Sequence, residues 1–212
     1  MSADVTSLAR RSPRPQLRSE SRRANLLTAL ENELRHHTLA EVSISAVTRG
    51  AGLGRSAFYF YFPSKHAAVA DLLSGVYDEL SDLASDLLLG RGVPRDNFAD
   101  ALRHTVAIWR QHRLLFCAML DAVAADPGVA KVWTRWIAMF EDVVVRVADE
   151  QAWPIVIPSE IGLRRTVTGL LAMNTSVLEA HVRSDGDHAE ARLVGDLLVH
   201  VWTSALFGQE HS

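Results

Sequence analysis

The sequence of 212 residues contains a single cysteine, Cys117, so no internal disulfide can staple the chain and a reducing compartment suits it. Long hydrophobic runs are missing as well. The longest nearly apolar stretch, Leu114 to Ala125, includes Asp121 and falls short of the roughly eighteen residues a membrane span requires. The N-terminus has no apolar signal-peptide core. No segment alternates apolar and polar side chains over strand length, and there is no internal repeat. Enzyme signatures are absent too: no nucleophile elbow, phosphate loop or Cys/His metal spacing occurs. The nine histidines do not supply one. His36 and His37 are adjacent and point apart on a helix, while His104 and His112 are eight apart without the intervening carboxylate of a metalloprotease helix. These absences favour an all-α, cytoplasmic, non-enzymatic protein with no cofactor, metal or membrane segment.

What is present is an ordinary folding composition, 48% hydrophobic and 22% charged, with an uneven distribution of charge. Up to Lys65 there are ten Lys/Arg against five Asp/Glu, or +5; the remainder has twelve against twenty, or −8. A basic head precedes an acidic body. Phosphate backbones reward clustered cations and repel an acidic surface, so the head is the part fitted to meet a polyanion.

Three segments follow from the patterning. Residues 1–18, with Arg10, Arg11, Arg14 and Arg18 and no apolar period, form an expected flexible basic arm. Residues 19–65 form a head of short helices and residues 66–212 a helical body. In the head, Leu26, Leu27, Leu30 and Leu34 predict a helix over Ser21 to His36. A second helix is capped by Ser43 and ends at Gly50-Ala51-Gly52. A third runs from Arg55 to Tyr61 and stops before Pro63. In the body, helices are expected from Ser64 to Leu89, Asp96 to Gln111, Arg113 to Ala125, Gly128 to Ala152, Ser159 to Arg183 and Asp187 to Phe207. Asp187 and Glu190 have the spacing of a capping box.

Two short helices joined by a tight glycine turn, the second bearing exposed polar side chains, are the requirements of a helix-turn-helix DNA reader. On the third helix Phe58 and Phe62 are four apart and face the core. Arg55, Ser56, Tyr59 and Tyr61 lie elsewhere around it and are the candidates for base edges and phosphates. Ser43, Lys65 and, from the first helix, Arg22 complete the candidate DNA-binding set. The alternative is a helical carrier of lipophilic ligands or a small enzyme with an incidental basic head. Strongly salt-dependent DNA binding separates the two.

The run Ser43-Ile44-Ser45-Ala46-Val47-Thr48-Arg49-Gly50-Ala51-Gly52-Leu53-Gly54-Arg55-Ser56-Ala57-Phe58-Tyr59-Phe60-Tyr61-Phe62-Pro63-Ser64-Lys65 closely resembles the signature of the TetR family of transcription regulators. Two positions depart from it: Gly54 stands where the family usually has Ser, and Thr48 where it usually has Ala. The resemblance extends through the tail His200-Val201-Trp202-Thr203-Ser204 and is looser between. It implies a repressor that binds a palindromic double-stranded operator as a homodimer, paired through the last two helices and released by a small hydrophobic effector. Leu170, Leu171, Val177, Leu193, Leu197, Leu198, Val201 and Leu206 supply more apolar surface there than one packing face needs. For the effector, Trp109, Phe116, Met119, Trp133, Trp136, Phe140 and Trp202 are an ample aromatic and thioether supply, with Asn174 to orient a ligand. Trp109, Trp136, Asn174 and Trp202 also match, by resemblance, positions lining an elongated hydrophobic channel.

Overall fold

A computed structural model describes residues 14–90, 92–184 and 186–208. Among these residues there are helices and no strands, in the order α1 (Arg14–Leu34), α2 (Ile44–Gly50), α3 (Arg55–Tyr61), α4 (Lys65–Leu88), α5 (Pro94–Gln111), α6 (Arg113–Ala125), α7 (Pro127–Glu150), α8 (Leu163–Ser184) and α9 (His188–Phe207). Most of the expected basic arm lies outside the described residues. Its last part, from Arg14, is already helix: α1 starts about two turns before Ser21, and Pro15 is tolerated because first-turn amides need no helical partner. Apolar periodicity detects only the buried half of this helix, Leu26 to Leu34, and is blind to the polar turns before it.

The head closes on itself through α1. Leu26, Leu30, Leu34, Leu39, Val42, Val47, Phe58 and Phe62 are all buried, so α2 and α3 pack their inner faces against the first helix. The Ser43 hydroxyl accepts from the Ala46 amide at 3.1 Å and caps α2. Thr48 is buried, and its hydroxyl donates to the Ser45 carbonyl at 3.2 Å, which is how a polar residue occupies a position that usually carries Ala.

The body is built around α4, which touches α1 at its start and packs against α5, α6 and α7 along its length. Ser64 is the cap of α4 rather than its first residue, its hydroxyl accepting from the Ala67 amide at 3.0 Å. Asp126 caps α7, accepting from the Gly128 amide at 2.8 Å. α8 begins at Leu163, not Ser159, because the chain first turns at Pro158 and passes through Gly162 at φ +76°, a conformation no helix interior accommodates. At α9 Asp187 accepts from the Ala189 and Glu190 amides at 2.8 and 2.9 Å. Only this half of the expected capping box forms among the contacts described, since Glu190 turns toward the Ser184 hydroxyl instead. No helix among the described residues is long and apolar enough to cross a membrane.

Candidate nucleic-acid interface and ligand channel

The outer face of α3 is set by what its inner face buries. Phe58 is fully enclosed and packs against Phe62 at 5.6 Å between ring centres, which fixes the rotation of the helix. Arg55, Ser56, Tyr59 and Phe60 are then left outside. Arg55 donates to the Tyr59 hydroxyl at 3.4 Å, and its guanidinium carbon lies 5.9 Å from that ring's centre. Two of the predicted DNA-binding residues are therefore already grouped on one turn. Arg22 and Ser43 are exposed as well, Ser43 with its hydroxyl engaged in the cap.

Other candidates are placed differently. The Tyr61 hydroxyl lies 3.1 Å from the Ser19 hydroxyl on α1, so this side chain braces α3 against the first helix. Lys65 directs its ammonium group at the carbonyls of Leu39, Ala40 and Val42, at 2.6, 3.0 and 2.9 Å. An ammonium group has three donors, and all are spent on the loop between α1 and α2. In this arrangement Lys65 ties the first residue of α4 to the head instead of reaching outward. Arg23 is likewise committed, pairing with Asp71 on α4 and lying over the Phe62 ring. Phe60, absent from the sequence-based set, is 76% exposed, more than Tyr59 at 48%. Its place in the aromatic run concealed it; the signal was that Phe58 and Phe62, four apart, already claim the core face.

Gly54 is the N-cap of α3 at φ −86° and ψ 161° and makes no side-chain capping bond. A β-carbon there would have its nearest neighbour, the Ser56 hydroxyl, at 4.0 Å, so a serine fits without displacement.

Behind the head, one internal cavity gathers most of the predicted ligand residues. Trp109, Phe116, Trp133, Trp136, Phe140, Asn174 and Trp202 all line it. Met119 does not: it is fully buried in the adjoining core. The wall that sequence patterning did not single out comes from α4, through Leu73, Tyr77, Leu80, Ala84 and Leu88. Their helical period is the same whether a neighbouring helix or a cavity lies against them.

The cavity is nearly filled by its own side chains. Its volume is only about 100 Å³. Trp109 stacks on Phe116 at 4.0 Å, and Tyr77 stacks on Trp136 at 4.7 Å. The Tyr77 hydroxyl donates to the Trp136 carbonyl at 2.8 Å, and burial, with Asp78 nearby, pushes its pKa up to about 12. Tyr77 thus remains a protonated donor throughout the physiological range. The Asn174 side-chain oxygen and the Trp202 indole nitrogen are buried without hydrogen-bond partners among the described residues, one an acceptor and the other a donor.

Comparison with known proteins identifies this combination of head and body. Residues 26–71 match the family model for bacterial regulatory proteins of the tetR family, and residues 98–208 match the C-terminal domain of transcriptional regulator EthR. The chain belongs to the TetR family. It is 30% identical to the HTH-type transcriptional regulator EthR of Mycobacterium tuberculosis, over 94% of this chain and 93% of that one. With the EthR of Mycolicibacterium smegmatis it shares 26% identity over 96% of its length and 93% of the relative's. Among solved structures it is similar in fold to Thermus thermophilus FadR, a TetR-family repressor in complex with lauroyl-CoA, with a TM-score of 0.64 at 18% identity. That match covers 90% of this chain and 96% of FadR. A similar match, TM-score 0.65 at 16% identity, is to SmeT, the repressor of the Stenotrophomonas maltophilia efflux pump SmeDEF, covering 87% and 89% of the two chains. This TetR-family member is a helix-turn-helix transcription regulator with an EthR-type body.

Proposed function

We propose that the protein is a repressor that binds a palindromic operator as a homodimer and is released when a small hydrophobic molecule enters the channel. The observation that carries this reading is the double role of α4. Its middle, at Leu73, Tyr77 and Leu80, is a wall of the cavity, and its first residue grips the head through Lys65. Whatever moves that wall moves the head.

The small volume of the cavity makes such movement necessary. Pockets that enclose drug-sized ligands measure roughly 300–1,000 Å³. An effector entering about 100 Å³ has to part the stacked pairs Trp109–Phe116 and Tyr77–Trp136, and the second of these bears on α4. The lining is aromatic and aliphatic, with Asn174 and Trp202 offering an acceptor and a donor. The fitting ligand is elongated and apolar with one polar group of each kind. A complete switch asks it to favour the released conformation by about 5.5 kcal/mol over the DNA-competent one.

The dimer is assigned to α8 and α9. Leu198 and Leu206 of the expected pairing set are buried in the protomer's own core, and Leu171 nearly so, which removes them from an outer face. Leu193 and Leu197, one turn apart on α9, are 69% and 49% exposed and give that face its apolar centre. Two such protomers place their α3 helices in successive major grooves when the helices stand about 34–36 Å apart. Replacing Leu193 and Leu197 by Asp is expected to give a folded monomer in sedimentation velocity that loses operator binding. A double variant that sediments as the unmodified dimer contradicts the assignment.

A further inference from the structure

We propose that the body carries a second ligand site, for a phosphorylated organic molecule, in a groove between α5 and α9. This groove has a volume of about 750 Å³ and lies on a different face of α5 from the hydrophobic channel. Phe98, Leu102 and Trp109 turn toward the channel, while Arg103, Val106 and Arg110 turn toward the groove. A molecule in one does not enter the other.

Basic side chains make the walls. Arg103 and Arg110 come from α5, and His188 and Arg192 from the first turns of α9. Such a concentration stands out on a body that carries twelve Lys/Arg against twenty Asp/Glu. Four carboxylates stand around it. Asp100 accepts from Arg103 at 3.3 Å, and the Glu190 carboxylate lies against Gly186 of the lining. Asp196 lies 3.8 Å from Arg103, and Asp187, at the cap of α9, spends one carboxylate oxygen on the Ala189 and Glu190 amides. Arg192 makes no ion pair among the described residues. An Arg110 guanidinium nitrogen sits 3.0 Å from a His188 ring nitrogen, a contact between two basic side chains, with the Asp187 carboxylate close to both.

The floor is shaped to receive something. Val106 and Gly195 are its buried bottom, and Ala191, half-buried, and Ala107, exposed, are small enough to leave space between the two helices. Guanidinium groups arriving from two helices suit a tetrahedral oxyanion, which accepts from several directions at once; a planar carboxylate is satisfied by a single fork. A diphosphate would occupy only part of the volume, leaving the floor for an uncharged organic portion. The groove flanks Leu193 and Leu197, about a quarter-turn away around α9.

The test is calorimetric titration of the full-length protein with inorganic pyrophosphate at constant ionic strength, without DNA. Three variants are compared: Arg110→Gln/Arg192→Gln, Ala191→Leu, which keeps every charge and narrows the floor, and Arg135→Gln/Arg146→Gln, which removes two exposed cations of α7. The inference predicts one site per protomer. Its affinity falls about a hundredfold in the first variant, roughly tenfold for each guanidinium, and falls in the second. The third binds like the unmodified protein. Unaltered thermal melting of the variants excludes misfolding as the cause. Equal binding by Arg110→Gln/Arg192→Gln overturns the proposal, because the ion then sits on the basic head. A normal Ala191→Leu overturns it also, showing charge attraction without a shaped site. Tighter binding of tricarballylate than of pyrophosphate overturns the phosphate assignment.

Discussion

Gly54 is a departure from the family pattern whose effect depends on one side chain. As an N-cap it holds the extended backbone the position needs, yet it supplies no oxygen to the first amides of α3. Gly54→Ser is expected to stabilise the protein by a few tenths of a kcal/mol, as caps of this kind differ from glycine. It should also tighten operator binding through the added hydroxyl; a lower melting temperature contradicts the fit. Phe60 carries the opposite kind of prediction. A phenyl ring this exposed adds little to folding beyond its edge-on contact with Tyr61 at 4.9 Å and is suited to the methyl group of a thymine. Phe60→Ala is expected to leave thermal melting unchanged and to weaken operator binding about tenfold, as one lost base contact does. Equal affinity in a fluorescence-anisotropy titration contradicts it. At this scale the sequence was legible where one geometric rule acted: Arg55, Ser56 and Tyr59 face out because Phe58 and Phe62 face in. Lys65 was not legible, since its partners are carbonyls of a loop more than twenty residues away, and no periodicity reports on carbonyls.

Between elements, the start of α4 is held from both sides. Lys65 grips the α1–α2 loop, while Ser64 donates to Asp126 at 3.2 Å and His66 lies 3.9 Å from the same carboxylate. Asp126 thus links the head end of α4 to the junction of α6 and α7. Asp187 offers a matched control, because it caps α9 in the same manner and touches no residue of the head. Both Asp126→Ala and Asp187→Ala are expected to lower the melting temperature by roughly 2–4 °C, as the loss of a helix cap does in a chain of this size. Only Asp126→Ala should weaken operator binding; an equal loss in both variants contradicts the link. The acid limb follows the same bonds. The Gly128 amide first, with Ser64 and Val129, holds the Asp126 carboxyl below its ordinary value of 3.8, and the Glu190 and Ala189 amides do the same for Asp187. A lowered carboxyl contributes stability that is complete above its unfolded value and lost as pH falls through the folded one. Melting curves below about pH 4 should therefore be less steeply pH-dependent in either alanine variant. Helix order and most ends were readable from apolar period and breakers. The first turns of α1 were missed because they bury nothing, and the start of α8 because Gly162 ends a turn that composition alone presents as helix.

For the whole molecule, the proposed function makes the channel and the DNA face two loads on one helix. The channel was half legible: its aromatic side chains are conspicuous in the sequence, whereas the α4 wall reads as ordinary core and the near-closure of the cavity depends on how the rings stack. Met119 belongs to the same apolar supply but is buried outside the lining. The direct test follows channel occupancy and operator affinity in one sample. Dodecanol is titrated into the protein with a labelled operator selected from genomic fragments; tryptophan fluorescence reports occupancy beside Trp109, Trp133 and Trp136, and anisotropy reports bound DNA. The two signals are predicted to change together, operator being released as the channel fills. Tryptophan fluorescence that saturates while the operator stays bound with undiminished affinity contradicts the coupling of channel to head.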